Sequence, residues 1–155
     1  MDKNDHSVYL TFDDGPIPEA TPFILKTLRD FDAKATFFLV GDNVRKHPEL
    51  FQQIKADGHQ VGNHTYNHLG GLKHFTKTYI DNAQKANELI NSHLFRPPHG
   101  WMRYGEYIWL GLKYRIVMWD LVTRDYSKWM TANDVVHNVQ RYARPGSIIT
   151  FHDSL

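Results

Sequence analysis

Val8-Tyr9-Leu10-Thr11-Phe12-Asp13-Asp14-Gly15-Pro16 contains the sharpest transition in the chain. A β-rich run meets two acids and then Gly-Pro, which predicts a strand stopped by a tight turn. Beyond the turn, Ile24, Leu25, Leu28 and Phe31 recur at helical spacing. Residues 35–40 (ATFFLV) then form a near-continuous apolar run closed by Gly41, the pattern of a strand buried on both faces. Strand, turn, helix and buried strand in that order predict a parallel sheet with helices outside it.

The alternation continues along the chain. Pro48 sits where a first helical residue is favoured, Leu50, Phe51 and Ile54 supply an inner stripe, and Gly58 ends that helix. Residues 59–62 read as a short strand leading into Asn63-His64. Residues 76–91 read as a helix that buries Tyr79, Ala83, Ala86 and Ile90. Leu94-Phe95 leads to Arg96-Pro97-Pro98, which cannot be helical. A helix over 104–112 and a strand over 115–119 follow. Thr131 to Asp134 reads as a capping box, with Val135, Val136 and Val139 facing inward. Pro145-Gly146 breaks that helix before a last strand over 147–151. The total is about six strands and five helices, with boundaries good to ~2–4 residues. No linker-like stretch or internal repeat divides the chain, so 1–155 is expected to be one α/β domain.

Composition narrows the function. A formal net charge of +1 gives no basic field for nucleic acid. With Cys 0, disulfides, thiolate metal sites and a cysteine nucleophile are excluded. No apolar run reaches the ~18 residues that would cross a bilayer. The N-terminal residues are polar and lack a signal-peptide core. The compartment is therefore open: cytoplasmic by default, exported if a leader has been removed.

The reactive residues gather where strands end: Asp13-Asp14, Asn63-His64, Arg96, 120–125 and His152-Asp153. In parallel α/β barrels those ends line the active site. Asp13 and Asp14 are adjacent, so a bend is needed to bring both carboxylates into one site. His64 and His68 are four apart, a spacing that puts both imidazoles on one side of a helical turn. One carboxylate and two imidazoles make three ligands and leave positions open, which is the arrangement of a catalytic metal site. Each pattern alone has an ordinary structural explanation, since Asp-Asp-Gly is common in turns and ten histidines need not be ligands. Arg96 at its stiff turn could clamp a carboxylate bidentately. A histidine at a strand end with a carboxylate nearby could shuttle protons. His6, His47, His59, His74, His93 and His137 are read as structural or exposed, and the tryptophans as core. Trp101 is the exception, expected to line a groove after the Arg96 turn.

Together the motifs Thr11-Phe12-Asp13-Asp14-Gly15-Pro16, His64-Thr65-x-x-His68, Arg96-Pro97-Pro98-x-Gly100, Arg124-Asp125-Tyr126 and Ile148-Ile149-x-x-His152-Asp153 resemble, in order, those of the polysaccharide deacetylase family. The likeness to this chitooligosaccharide-deacetylase-like domain, carbohydrate esterase family 4, runs from Thr11 to Asp153. It implies a distorted, incomplete (β/α) barrel of mainly parallel strands. It also implies metal-dependent deacetylation of a chitin-like or peptidoglycan-like sugar. Asp14, His64 and His68 would hold the divalent metal, with zinc the first choice and cobalt or nickel the alternatives. Asp13 would be the base, Arg96 its orienting partner, His152 the acid and Asp125 the partner of His152. The backbone N–H near His99 would hold the oxyanion. Three positions depart from the family pattern. His99 stands where Tyr is usual, Tyr126 where Trp is usual, and Thr150 where Leu is usual. The last two normally make the apolar acyl pocket. A more polar pocket keeps an O-acetyl esterase or sugar deformylase in view, beside a carbohydrate-binding pseudoenzyme and a structural metal protein. The family also usually continues through another helix and strand, so the barrel is expected to be cut short at Leu155.

Overall fold

The structure is a computed structural model that describes residues 7–153. His6 lies outside the described residues. Seven parallel strands curl into a half-barrel in the order β5-β4-β3-β2-β1-β7-β6. They are β1 (Tyr9–Asp13), β2 (Ala35–Leu39), β3 (Gln60–Asn63), β4 (Leu94–Phe95), β5 (Arg115–Ile116), β6 (Leu121–Val122) and β7 (Ile148–His152). The helices are α1 (Thr21–Asp30), α2 (Gly41–Lys46), α3 (Pro48–Ala56), α4 (Thr76–Ile90), α5 (Tyr104–Gly111) and α6 (Ala132–Tyr142). Among the described residues edge strands β5 and β6 do not pair with each other, which leaves the half-barrel open, as the resemblance implied.

The strand register explains which residues share a face. Asp13 lies beside His152 on one side and Phe38 on the other, and Thr11 lies beside Thr150 and Thr36. Residues two apart on a strand point the same way. Thr11, Asp13, Thr150 and His152 therefore project together into the barrel. Phe12 projects outward and stacks on its register partners Phe37 and Phe151, with ring centroids 5.2 and 5.5 Å away. The outer face is packed by Leu25, Leu28, Phe37, Leu39, Phe51, Ile54 and Ile90. A second cluster of Tyr79, Ala83, Phe95, Leu110 and Tyr114 seats α4 and α5.

Several elements depart from the reading of the sequence. Gly41 does not merely close β2; it opens the extra helix α2. A Cβ there would stand 2.8 Å from the Tyr66 ring and 3.0 Å from Ala86, so only glycine lets α2 lie this close to α4. A strand beyond the six expected, the two-residue β6, is too short to show any alternation. β5 stops at Ile116 instead of 119. The carbonyls of Val117 and Met118 turn inward to accept from Arg96 Nε (3.1 Å) and Nη2 (3.0 Å), which ends the ladder.

Side chains were misplaced as well. Phe31 is 80% exposed at the end of α1, and Val136 is 52% exposed, because α6 buries no residue at all. Of the tryptophans only Trp109 joins the core, half-buried against the α4–α5 cluster; Trp101 and Trp129 are exposed, and Trp119 is half-buried. No helix among the described residues is long and apolar enough to cross a membrane.

Candidate active site

At the C-terminal ends of the strands lies a cavity of about 440 Å³ lined by Asp13, Asp14, His64, His68, His99, Trp119, Val122, Tyr126, Thr150 and His152. That volume falls within the ~300–1,000 Å³ common for small-ligand sites.

The turn after β1 brings the two acids together. Asp14 takes a left-handed backbone conformation (φ 85°) and the Gly15–Pro16 peptide is cis. The Asp14 conformation breaks the strand alternation, and both carboxylates line the cavity. Asp13 is buried, and its Oδ1 accepts from Arg96 Nη1 at 2.7 Å. The same nitrogen reaches Thr11 Oγ1 (2.7 Å) and Thr150 Oγ1 (3.1 Å). Arg96 is thus not the bidentate clamp suggested by its type. Its Nε and Nη2 are taken by the Val117 and Met118 carbonyls, which leaves a single nitrogen for Asp13. The guanidinium is wholly buried, 4.1 Å above the Phe38 ring.

His64 and His68 converge by a different route from the helical turn that their spacing suggested. Their loop is irregular, with positive φ at Thr65 (65°) and His68 (54°). Side chains hold it. Asn63 Oδ1 accepts from Thr65 N (2.8 Å), Thr65 Oγ1 from Leu69 N (3.0 Å), and Asn82 Oδ1 from Tyr66 N (2.7 Å) and Asn67 N (3.1 Å). His64 Nδ1 lies 2.8 Å from the Arg96 carbonyl, which can only accept. Nδ1 therefore carries the proton and Nε2 presents its lone pair. Burial keeps His64 below the usual imidazole range, which favours the neutral form a metal requires.

His64 Nε2 is 3.5 Å and His68 Nε2 3.2 Å from Asp14 Oδ1, and the three ligand atoms lie within 4.8 Å of one another. Asp14 Oδ1 is buried, and no donor is aligned on it. A buried carboxylate oxygen without a proper donor, facing two imidazole nitrogens, fits a divalent cation. Burial acts to raise Asp14, but the neighbouring His68, His64 and His152 outweigh it and hold the carboxyl well below the ordinary range. Among the described residues no other group of three acids or histidines is so disposed.

Across the cavity, Asp125 grips His152 twice. Its Oδ1 is 2.8 Å from Nδ1 and its Oδ2 accepts from the His152 backbone N–H at 2.8 Å. Nε2 of His152 is left facing the cavity. Burial would lower its pKa, yet Asp125, joined by Asp14 and Asp13, outweighs burial and the net shift is upward. Tyr126 meets the His152 ring edge-on at 4.7 Å, and His99 meets His68 in the same way at 4.7 Å. Burial, with help from His68, holds His99 below the usual imidazole range.

Most residues singled out in the sequence thus converge. Arg96 and Asp125 sit one layer behind the cavity wall. Trp101 is 65% exposed and is not among the lining residues. Two lining residues escaped the reading, Trp119 and Val122. Val122 ends the short β6 and Trp119 precedes it, and only an interruption of strand pattern near 120 hinted at a separate element there.

Three ligand-type side chains beside a carboxylate and a carboxylate-paired imidazole are the parts of a metal-assisted hydrolytic site. The sequence profile of one family, polysaccharide deacetylase, matches residues 1–109. The chain belongs to that family.

It is 37% identical to a peptidoglycan-N-acetylglucosamine deacetylase of Bacillus cereus over 97% of its length, and spans 57% of that relative. It is 35% identical to a chitooligosaccharide deacetylase of Azorhizobium caulinodans, covering 97% of this chain and 75% of the relative. In three dimensions it resembles a peptidoglycan N-acetylglucosamine deacetylase crystallised with an N-hydroxybenzamide: TM-score 0.93, 36% identity, 97% of this chain and 73% of that one. It also resembles a pseudoenzyme of carbohydrate esterase family 4 from Bacillus anthracis: TM-score 0.87, 30% identity, 97% of this chain and 56% of that one.

Proposed function

We propose that this chain is a hydrolase that removes N-acetyl groups from N-acetylglucosamine-containing glycan, of the peptidoglycan or chitooligosaccharide kind, with a divalent metal held by Asp14, His64 and His68. One observation carries the proposal. The metal-ligand cluster opens into the same cavity as a guanidinium-held carboxylate and a carboxylate-paired histidine. Zinc, cobalt and nickel all suit two imidazoles and one carboxylate.

A bound divalent ion polarises the acetamide carbonyl and makes the attacking water more acidic. The residues of the chain do the rest. Asp13, held by Arg96 Nη1, accepts the proton of the water. That water forms the new C–O bond at the carbonyl carbon. The backbone N–H of His99 donates to the oxyanion that develops. His152 Nε2 delivers a proton to the nitrogen as the C–N bond breaks, so acetate and a free amine leave. Asp125 keeps His152 protonated for this task, which gives two groups of opposite protonation state in one cavity. The acyl methyl lies against Trp119, Val122 and Tyr126. The first two restore an apolar wall that the sequence, with Tyr126 and Thr150, did not promise.

The experiment is acetate release by purified protein, with and without chelator. N-acetylglucosamine oligomers and peptidoglycan glycan are compared with acetylated xylan. Acetate from the N-acetylated sugars, lost on chelation, is expected. Release from acetylated xylan alone would replace this function with an O-acetyl esterase. Zinc binding with no release from any sugar would place the chain with the pseudoenzyme it resembles.

A further inference from the structure

Asp153 is wholly buried, charged in type, and absent from the cavity wall. It lies behind the turn that carries Asp14. Its backbone N–H donates to the Asp13 carbonyl at 3.0 Å. Its Oδ1 accepts from the Gly15 N–H at 2.7 Å. Those are the peptide groups on either side of Asp14, so one residue pins both. The other halves of the same two peptides are also held: Asp14 N donates to the Phe38 carbonyl (3.2 Å), and Asn43 Nδ2 donates to the Asp14 carbonyl (2.8 Å). Asp153 Oδ2 accepts the Thr21 hydroxyl at 2.9 Å, and Thr21 Oγ1 accepts the Ile17 N–H at 2.8 Å, which ties the far end of the turn to the same carboxyl.

This enclosure has a reason. Asp14 keeps φ at 85°, a region a side chain rarely adopts, and such a conformation persists only where its surroundings over-determine it. Gly15 admits the clamp, since a Cβ there would stand 1.9 Å from Asp153 Oδ2. We infer that Asp153 is a positioning residue of the metal site: with Thr21 it locks the turn in the one backbone conformation that aims the Asp14 carboxylate at His64 and His68. The inference rests on the proposed metal site and adds to it a residue that touches neither metal nor substrate.

The test is zinc affinity of the folded protein, titrated at pH 8 well below its melting temperature, with the cobalt d–d spectrum as a second readout. Asp153→Asn keeps the size but puts an NH2 where one of the two donors, the Gly15 N–H or the Thr21 hydroxyl, already points. It is expected to weaken zinc binding by ~10–100-fold, the usual effect of losing a group that orients a ligand. It should also change the cobalt spectrum. Thr21→Val should weaken binding several-fold, and Thr21→Ser, which keeps the hydroxyl, should restore it. Unchanged zinc affinity and cobalt spectrum in Asp153→Asn and Thr21→Val would overturn the inference even if both variants melt earlier, because a purely structural role moves only the melt. Should Asp153→Asn fail to fold, Thr21→Val and its Ser counterpart decide alone. Wild-type protein that binds no zinc would overturn the metal site and this inference together, whereas normal binding in the variants overturns only the inference.

Discussion

The two walls of the cavity are built to different standards. On the side of β1 and β3, Asp14, His64 and His68 rest on wholly buried groups: Asn63, Thr65, Arg96 and Asp153 are each 0% exposed. On the other side, His152 is paired with a single carboxylate, next to a two-residue strand at the sheet edge and a helix with no buried residue. Trp129, in the loop leading to that helix, is 94% exposed. Ligand atoms must be fixed to within a few tenths of an ångström before a metal arrives, which requires a packed framework. A proton donor needs one well-placed partner and access to solvent for re-protonation.

This contrast can be broken in several places. The largest expected effect is at the rigid wall. His64→Ala should abolish metal binding and acetate release together, measured as zinc content and turnover of the same sample. Asp13→Asn should lose on the order of 10²–10⁴-fold in turnover, the usual worth of a positioned base, while keeping zinc affinity close to wild type. At the thin wall, Asp125→Asn should cost about 10–100-fold in turnover. It should also move the high-pH limb of the rate profile. The sign follows from the shift. Asp125 raises His152 against burial, so removing its charge lets the His152 pKa fall. The acid form is then lost sooner, and the limb moves to lower pH; a limb that stays in place or rises would remove His152 from the role of acid. The smallest effects concern stability. Ile54→Ala, in the core behind β1–β3, should cost about 2–5 kcal/mol in a denaturant melt. Val136→Ala on α6 should stay within about 0.5 kcal/mol. Equal losses at the two positions would mean that the walls are not built differently.

How much could be read from the chain divides along a different line, since the His64–His68 loop and Asp153 belong to the packed wall and were misread. Where packed structure is also repetitive, the sequence was legible. The β1 and β2 runs, the stripe of α4 and the five strand-end motifs all carry strong local patterns because burial imposes them. Where hydrogen bonds from side chains replace repetitive structure, the pattern vanished. The His64–His68 spacing imitated a helix, yet the convergence comes from Asn63, Thr65 and Asn82 gripping an irregular loop. β5 was overdrawn because nothing in its composition reveals that Arg96 takes its carbonyls. Trp119 and Val122 were missed because β6, which contains Val122 and follows Trp119, is too short to carry a period. Asp153 was read only as a motif letter, since its role depends on both peptide groups beside Asp14, a relation visible only in three dimensions.

The central claim is that one divalent ion at Asp14, His64 and His68 drives hydrolysis of a sugar acetamide. Its most direct test is a titration of metal-free protein with zinc while acetate release from N-acetylglucosamine oligomers is followed. The expected result is a rate that climbs in proportion to zinc and levels at one ion per chain. One bound zinc per chain with no acetate released, or acetate released equally by metal-free protein, would contradict it.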